Sequence, residues 1–290
     1  MICKKKKNLN NFKIHLNMKK VFLLILYVLL NCKFSISQTI TCGTTITSEQ
    51  INFENLFSDS VNNIIYLNRK IHINVYITKD KNGNTNFDIH SLNQAINTIN
   101  ILFDKIKVKF EISSLIYIDN YHYDVINENK EKDLLSMYYK KNLINIFIVK
   151  EIYKNSLSTC AYAYYPSSNI DAIFIAKNCF HSSHLIEQIG HLLNLYHTHE
   201  TAFGKETVKR TNCKTKGDKC CDTPADPNLS LLVNAECKYT GTVTDENNEL
   251  YNPTVNNYMS ASLPECKCYF SDEQYLRMIN CLLRLKNYLW

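Results

Sequence analysis

Between positions 187 and 197 the chain sets out a carboxylate, an amide and two imidazoles: Glu187, Gln188, His191 and His197. Residues four apart on an α-helix share a face, so Glu187 and His191 can aim at one metal ion. A third donor reaches that ion only if the chain turns sharply after the helix. Asn194 stands where the turn is needed, and Asn is the commonest non-glycine residue in the left-handed conformation. Two His and one Glu is a known zinc donor set, with Zn–O about 2.0–2.2 Å and Zn–N about 2.0–2.1 Å. The competing reading of Glu187 is a helix-face carboxylate with no metal, and the residues alone leave both open. The residue after the first donor lies beside the ion, where a carboxylate takes a proton from bound water. Here it is Gln188, and an amide holds water without accepting its proton. General-base action contributes typically about 10²–10⁴ in rate. Glu200 follows His197 too closely to be an obvious substitute, and His184 lies seven residues before His191, about 10.5 Å along a helix.

This frame resembles the metzincin zinc motif H-E-x-x-H-x-x-G-x-x-H. Glu187 stands at the first histidine, Gln188 at the general base and Asn194 at the glycine. Further on come Thr198-His199-Glu200, Gly217-Asp218-Lys219-Cys220-Cys221-Asp222-Thr223-Pro224, Asn257-Tyr258-Met259-Ser260 and Phe270-Ser271-Asp272-Glu273-Gln274. In that order they resemble the pappalysin-type metzincins, most closely over residues 160–281. The resemblance implies a zinc metalloendopeptidase fold, with Met259 in the Met-turn beneath the metal. For Met259 alone the plain reading is a core gap-filler. The resemblance also implies bridges Cys213–Cys237 and Cys221–Cys266, and an acidic residue at position 200. It places the Tyr-rich segment Cys160–Pro166 along the upper rim of a substrate cleft; a Tyr-rich edge without a ligand is the plain alternative.

The first 37 residues read as a signal peptide. Met18-Lys19-Lys20 precedes the uncharged run Val21–Leu30, and Ser35-Ile36-Ser37 supplies a small-x-small cleavage site. Met18 is a candidate true start. The run is shorter than the roughly 20 residues a spanning helix needs. A lipoprotein anchor at Cys32 ranks second, because Asn31 fits poorly before it. Residues 1–37 hold eight lysines and no acid, so their removal turns a formal charge of +6 into −2. Nothing basic then points to nucleic acid. Cys3 and Cys32 leave with the leader, and ten cysteines remain. An even number in an exported chain suggests disulfides. A cysteine zinc site is disfavoured because no pair shows C-x-x-C spacing. The partners of Cys42, Cys160, Cys179, Cys220, Cys268 and Cys281 stay open.

Residues 38–66 read as an irregular segment. Ile71, Ile73, Val75 and Ile77 alternate with polar residues as a half-buried strand. Ile89 to Ile106 follows helical spacing, Val108, Phe110 and Ile112 alternate again, and a short helix falls around Leu134–Tyr139. Leu143–Val149 and Ala172–Ala176 read as buried strands, and Cys160–Pro166 as an edge strand ended by proline. Phe180–Leu193 is the expected active-site helix. Loop follows until a last helix, with a capping box at Ser271 and Gln274 and an apolar stripe at Met278, Ile279, Leu282 and Leu285.

The expectation is an α/β, metzincin-like fold in one domain, residues 38–290. An upper subdomain, 38–193, holds a twisted mixed sheet and the active-site helix. A lower one, 194–290, is irregular and disulfide-rich with a C-terminal helix. The expected function is a secreted, monomeric pappalysin-like pseudoprotease. It keeps a cleft for a peptide or protein and binds zinc weakly or not at all. An active zinc endopeptidase using Glu187, His191 and His197 is the alternative, and a disulfide-rich structural domain a third reading.

Overall fold

The structure, a computed structural model, describes residues 42–57 and 61–290. The leader, its cleavage site and Cys32 lie outside the described residues. Helix α1 (Ser48–Leu56) and strand β1 (Arg69–Thr78) come first. Helix α2 (Ile89–Phe103), strand β2 (Val108–Ile118), the short β3 (Val125–Ile126), helix α3 (Glu128–Tyr138) and strand β4 (Ile144–Val149) follow. Then come β5 (Glu151–Lys154), β6 (Leu157–Thr159), β7 (Ala161–Ala163), β8 (Ala172–Ala176), helix α4 (Ser182–Leu192) and helix α5 (Asp272–Arg284).

The main sheet has the order β2-β1-β4-β8-β7. Four strands are parallel, and β7 joins the edge antiparallel to β8. Both faces are covered, which is what a mostly parallel sheet requires. On one face α2 and α4 bury Leu92, Ile96, Ile99, Leu185, Ile189 and Leu192 against the sheet. On the other, the rings of Tyr76, Phe147, Phe174 and Tyr162 stack across four strands at 4.7, 4.7 and 5.0 Å. This corrects the half-buried reading of β1, in which every residue from Ile73 to Thr78 is buried. Two of its polar side chains find partners inside: Tyr76 donates to the Tyr138 carbonyl at 2.7 Å, and Thr78 to Asp124 at 2.6 Å.

Residues 38–66 are not wholly irregular, because Thr47 caps α1, accepting from the Gln50 amide at 3.2 Å. The helix expected near 134–139 starts earlier, at Glu128, where Asn127 caps it. The Ser271–Gln274 capping box is present as expected. Residues 193–271 are mostly turns, with isolated bridges such as Asn257 with Tyr269.

Three bridges close: Cys160–Cys179, Cys213–Cys221 and Cys237–Cys266. The expected pairs Cys213–Cys237 and Cys221–Cys266 are therefore corrected; the same four cysteines exchange partners. The loop folds back so that Arg210 donates to the Cys221 carbonyl. That sets the Cys213 and Cys221 Cα atoms 5.1 Å apart, and Cys237 lies 5.5 Å from Cys266. Both spans suit a disulfide. Cys42, Cys220, Cys268 and Cys281 form no disulfide. No helix among the described residues is long and apolar enough to cross a membrane.

Candidate metal centre

Glu187, Gln188 and His191 are all buried on α4. Packing of Leu185, Ile186, Ile189 and Leu192 into the core fixes the helix, and so the direction of those polar side chains. The helix ends at Asn194, whose φ is +71°. Leu195 N–H donates to Gly190 O at 2.9 Å, and Asn194 N–H to His191 O at 3.0 Å, closing the turn. The chain then reverses and returns His197 to the helix. Met259 is fully buried beside it. A Cβ on Gly190 would stand 2.6 Å from the Met259 sulfur, so this helix position must be glycine for the methionine to lie there. Thr198 N–H donates to the Met259 carbonyl at 3.1 Å, and Asn257 accepts from the Met259 amide at 2.8 Å.

The donor atoms converge. His191 Nε2 lies 3.1 Å from His197 Nε2, and Glu187 Oε1 lies 3.2 Å from His197 Nε2 and 4.0 Å from His191 Nε2. A fourth donor, not expected from the sequence, completes the set: Cys42 Sγ stands 3.6 Å from His191 Nε2, and all four ligand atoms fall within 4.8 Å of one another. A tetrahedral zinc ion with ordinary bond lengths spaces nitrogen and oxygen donors about 3.3–3.4 Å apart, and sulfur about 3.6 Å from nitrogen. The observed spacings bracket those values. His191 Nδ1 donates to the Leu195 carbonyl at 2.9 Å. This leaves the Nε2 lone pair for an ion, the usual outer-shell arrangement of a histidine ligand. The residues fit zinc.

The charges of the same set are coupled. Burial opposes charge on Glu187, yet the Lys267 ammonium, 2.7 Å from Oε2, and the two imidazoles hold the carboxyl well below its usual range. Burial and Glu187 would raise the Cys42 thiol, but His191 and His197 outweigh them and bring it down to about 5. His197 loses to burial and gains more from Cys42 and Glu187, reaching about 10. A thiolate and a carboxylate are thus already ionised, the state in which they bind metal, whereas His197 carries a proton that zinc would have to displace.

The Cys42–Thr44 segment enters the site along the edge strand. Gly43 N–H donates to the Ala161 carbonyl at 2.8 Å, and Thr44 Oγ1 accepts from the Ala163 amide at 2.9 Å. A Cβ on Gly43 would meet Thr159 Oγ1 at 2.8 Å, so only glycine approaches this closely. Gln188 is engaged by the same segment: its Oε1 accepts from Thr44 Oγ1 at 2.9 Å, and its Nε2 donates to Cys42 Sγ at 3.3 Å. Helix α1 anchors the segment through polar contacts. Gln50 donates to Asn194 Oδ1 at 2.9 Å and to Tyr196 Oη at 2.7 Å. Glu54 accepts from Tyr196 at 2.8 Å and from Arg277 at 2.5 Å.

Beside the donors lies a cleft of about 600 Å³, with Phe180, Leu229, Leu231, Leu263 and Pro264 among its walls. Of the substitutes weighed for a base, Glu200 is tied to the backbone of Thr201 and Ala202. His184 turns its Nδ1 to the Cys179 carbonyl at 2.7 Å. Cys42, Thr44 and Lys267 were missed by sequence reasoning. Cys42 had one faint signal, an unassigned cysteine followed by glycine; Lys267 had none.

The profile of the pregnancy-associated plasma protein-A peptidase family matches residues 128–283. Among solved structures, mature mirolysin from Tannerella forsythia in complex with a cleaved peptide is 14% identical, with a TM-score of 0.54; the match covers 75% of this chain and 91% of that one. A promirolysin mutant from the same organism is 13% identical, with a TM-score of 0.54, covering 83% and 90%. Mirolysin with a bound compound is 14% identical, with a TM-score of 0.53, covering 76% and 96%. At these identities the likeness establishes a shared fold. No curated protein sequence matches.

Proposed function

Because this chain belongs to the pregnancy-associated plasma protein-A family of metzincin-type metallopeptidases, we propose that it is a secreted, catalytically silent relative of those enzymes. In this reading it holds zinc on Cys42, Glu187, His191 and His197. One observation carries it: the residue at the general-base position, Gln188, is an amide whose oxygen is held by Thr44 and whose nitrogen donates to Cys42. In a working peptidase zinc would acidify a bound water and polarise a carbonyl. Here the fourth donor position faces Cys42 Sγ, and neither orientation of the amide takes up a proton. Such a closed set of protein donors is typical of structural zinc. The adjoining cleft, with its apolar walls, is where a peptide or protein ligand would bind. Three disulfides suit an extracellular protein.

The test uses residues 38–290, oxidised. Zinc per chain is measured after dialysis against a mild chelator, and cleavage of a mixed peptide library is followed with zinc present. One zinc and no chelator-sensitive cleavage is expected. Cleavage that chelator abolishes would establish the other reading, an active endopeptidase built on Glu187, His191 and His197.

A further inference from the structure

The zinc reading leaves one buried charge unused. The Lys267 side chain is 4% exposed, and Glu187 is its single hydrogen-bond partner among the described residues. Its place is fixed from both sides. Cys266 is bridged to Cys237, and the Cys268 amide donates to the Asn256 carbonyl at 2.8 Å. The ammonium grips Oε2, while Oε1 faces the two imidazoles. A buried lysine without a partner is costly, and so is a buried carboxylate.

We propose that Lys267 is an internal counter-ion to Glu187: it holds the carboxylate in place when no metal is bound, keeps the fold independent of metal, and competes with zinc for the same negative charge. The proposal rests on the zinc reading above and deepens it. Outer-shell partners of a metal ligand usually accept a proton from it or share its charge and so make it a better donor. An ammonium does the reverse. It withdraws negative charge from the donor and repels the incoming dication. Lys267 is thus a positioning residue that lowers metal affinity below that of the same donors without it and raises apo stability. It also explains why a carboxylate rather than an imidazole suits position 187. With zinc, a thiolate and three neutral imidazoles, the buried lysine would add an unbalanced positive charge. With Glu187 in place of one imidazole, the sum of charges returns to that of the three-imidazole centre without lysine.

The test measures apo unfolding midpoints and zinc affinity, by competition against a chromophoric chelator. The variants are Lys267→Met, Glu187→His, the double Glu187→His/Lys267→Met, and Glu187→Gln/Lys267→Met. Lys267→Met should lower the apo midpoint, have most of that loss restored by zinc, and bind zinc more tightly by on the order of 10–100-fold, the size of outer-shell effects. Glu187→His alone should bind zinc more weakly than the double. Glu187→Gln/Lys267→Met should fold as well as wild type. An unchanged apo midpoint and zinc affinity in Lys267→Met would overturn the proposal, and so would Glu187→His binding as tightly as the double. If Lys267→Met folds neither with nor without zinc, Glu187→Gln/Lys267→Met decides: its folding supports the counter-ion role, and its failure shows that Lys267 acts by packing alone. If wild type takes up no zinc, the zinc reading fails, while loss of apo stability in Lys267→Met and its return in Glu187→Gln/Lys267→Met still support the counter-ion.

Discussion

Replacing Glu54 with Gln should free the Cys42–Thr44 segment from the metal centre. Glu54 and Arg277 are each 4% exposed at the side chain and sit 2.5 Å apart. Removing one charge of such a pair leaves the other buried and uncompensated, at a cost of about 3–5 kcal/mol. Part of the hydrogen bonding survives, since a Gln oxygen still accepts from Tyr196, so the lower end, about 3 kcal/mol, is expected. If the loss is local to α1, the open population rises by roughly 10²-fold. Alkylation of the four thiols, read site by site by mass spectrometry on metal-free protein, separates local from global opening. Cys42 should label about 10²-fold faster. Cys281, fully buried on the same helix as Arg277, should label at the wild-type rate. The double Glu54→Leu/Arg277→Met should recover most of the stability, because a well-packed apolar pair often equals a buried ion pair. Equal acceleration at Cys42 and Cys281 would show that α1 is part of the global folding unit, and no acceleration would show that it does not anchor the segment.

Three further outcomes are expected. Gln188→Glu alone should leave peptide cleavage at the wild-type level, because Cys42 still faces the ion; joined with Cys42→Ser, Glu187→His and Lys267→Met it should give cleavage that chelator abolishes. An active single variant would mean that Cys42 does not block the site. Burial, then the neighbouring His197, lowers the His199 pKa from its usual 6.5 to about 3. The unfolded chain therefore takes up a proton below about pH 6.5 that the folded one refuses until about pH 3, and stability falls across that window by up to about 1.4 kcal/mol per pH unit. In denaturant titrations His199→Phe should flatten the acid limb, and an identical limb would refute the assignment. Proteolysis under non-reducing conditions should release linked peptides containing Cys213 with Cys221 and Cys237 with Cys266; recovery of Cys213 joined to Cys237 would restore the pairing that the resemblance implied.

What was legible in the sequence follows from where the information lies. The main strands and α4 announce themselves through apolar spacing, and the two imidazoles through their spacing in a local motif. Helix α1 was invisible because its buried residues are Gln50 and Glu54; a helix that docks through hydrogen bonds leaves no apolar stripe to read. The disulfide pairing implied by the resemblance differs from the one found, because pairing depends on how one irregular loop folds back. Cys42 and Lys267 reach the centre from 145 residues before Glu187 and 80 residues after it. Only the tertiary fold brings them there.

Within the motif, each of the three departures from the family pattern has a partner outside it. Glu187 meets Lys267, Gln188 meets Thr44 and Cys42, and Asn194 meets Gln50 and Glu54. Buried polar groups in folded proteins are as a rule hydrogen-bonded, and these three follow that rule. Unpartnered buried polar atoms do occur among the described residues, at His199, Glu206 and Ser262, for example, but none belongs to these three. The matching also gives the changes an order of dependence. Glu187 without Lys267 would lose its ammonium partner and keep only the imidazoles, whereas Asn194 without Gln50 would still close its turn. The carboxylate and the lysine are therefore the pair most tightly bound to one another. On the proposed function, restoring peptidase chemistry would require changes at both of them and not at Gln188 alone.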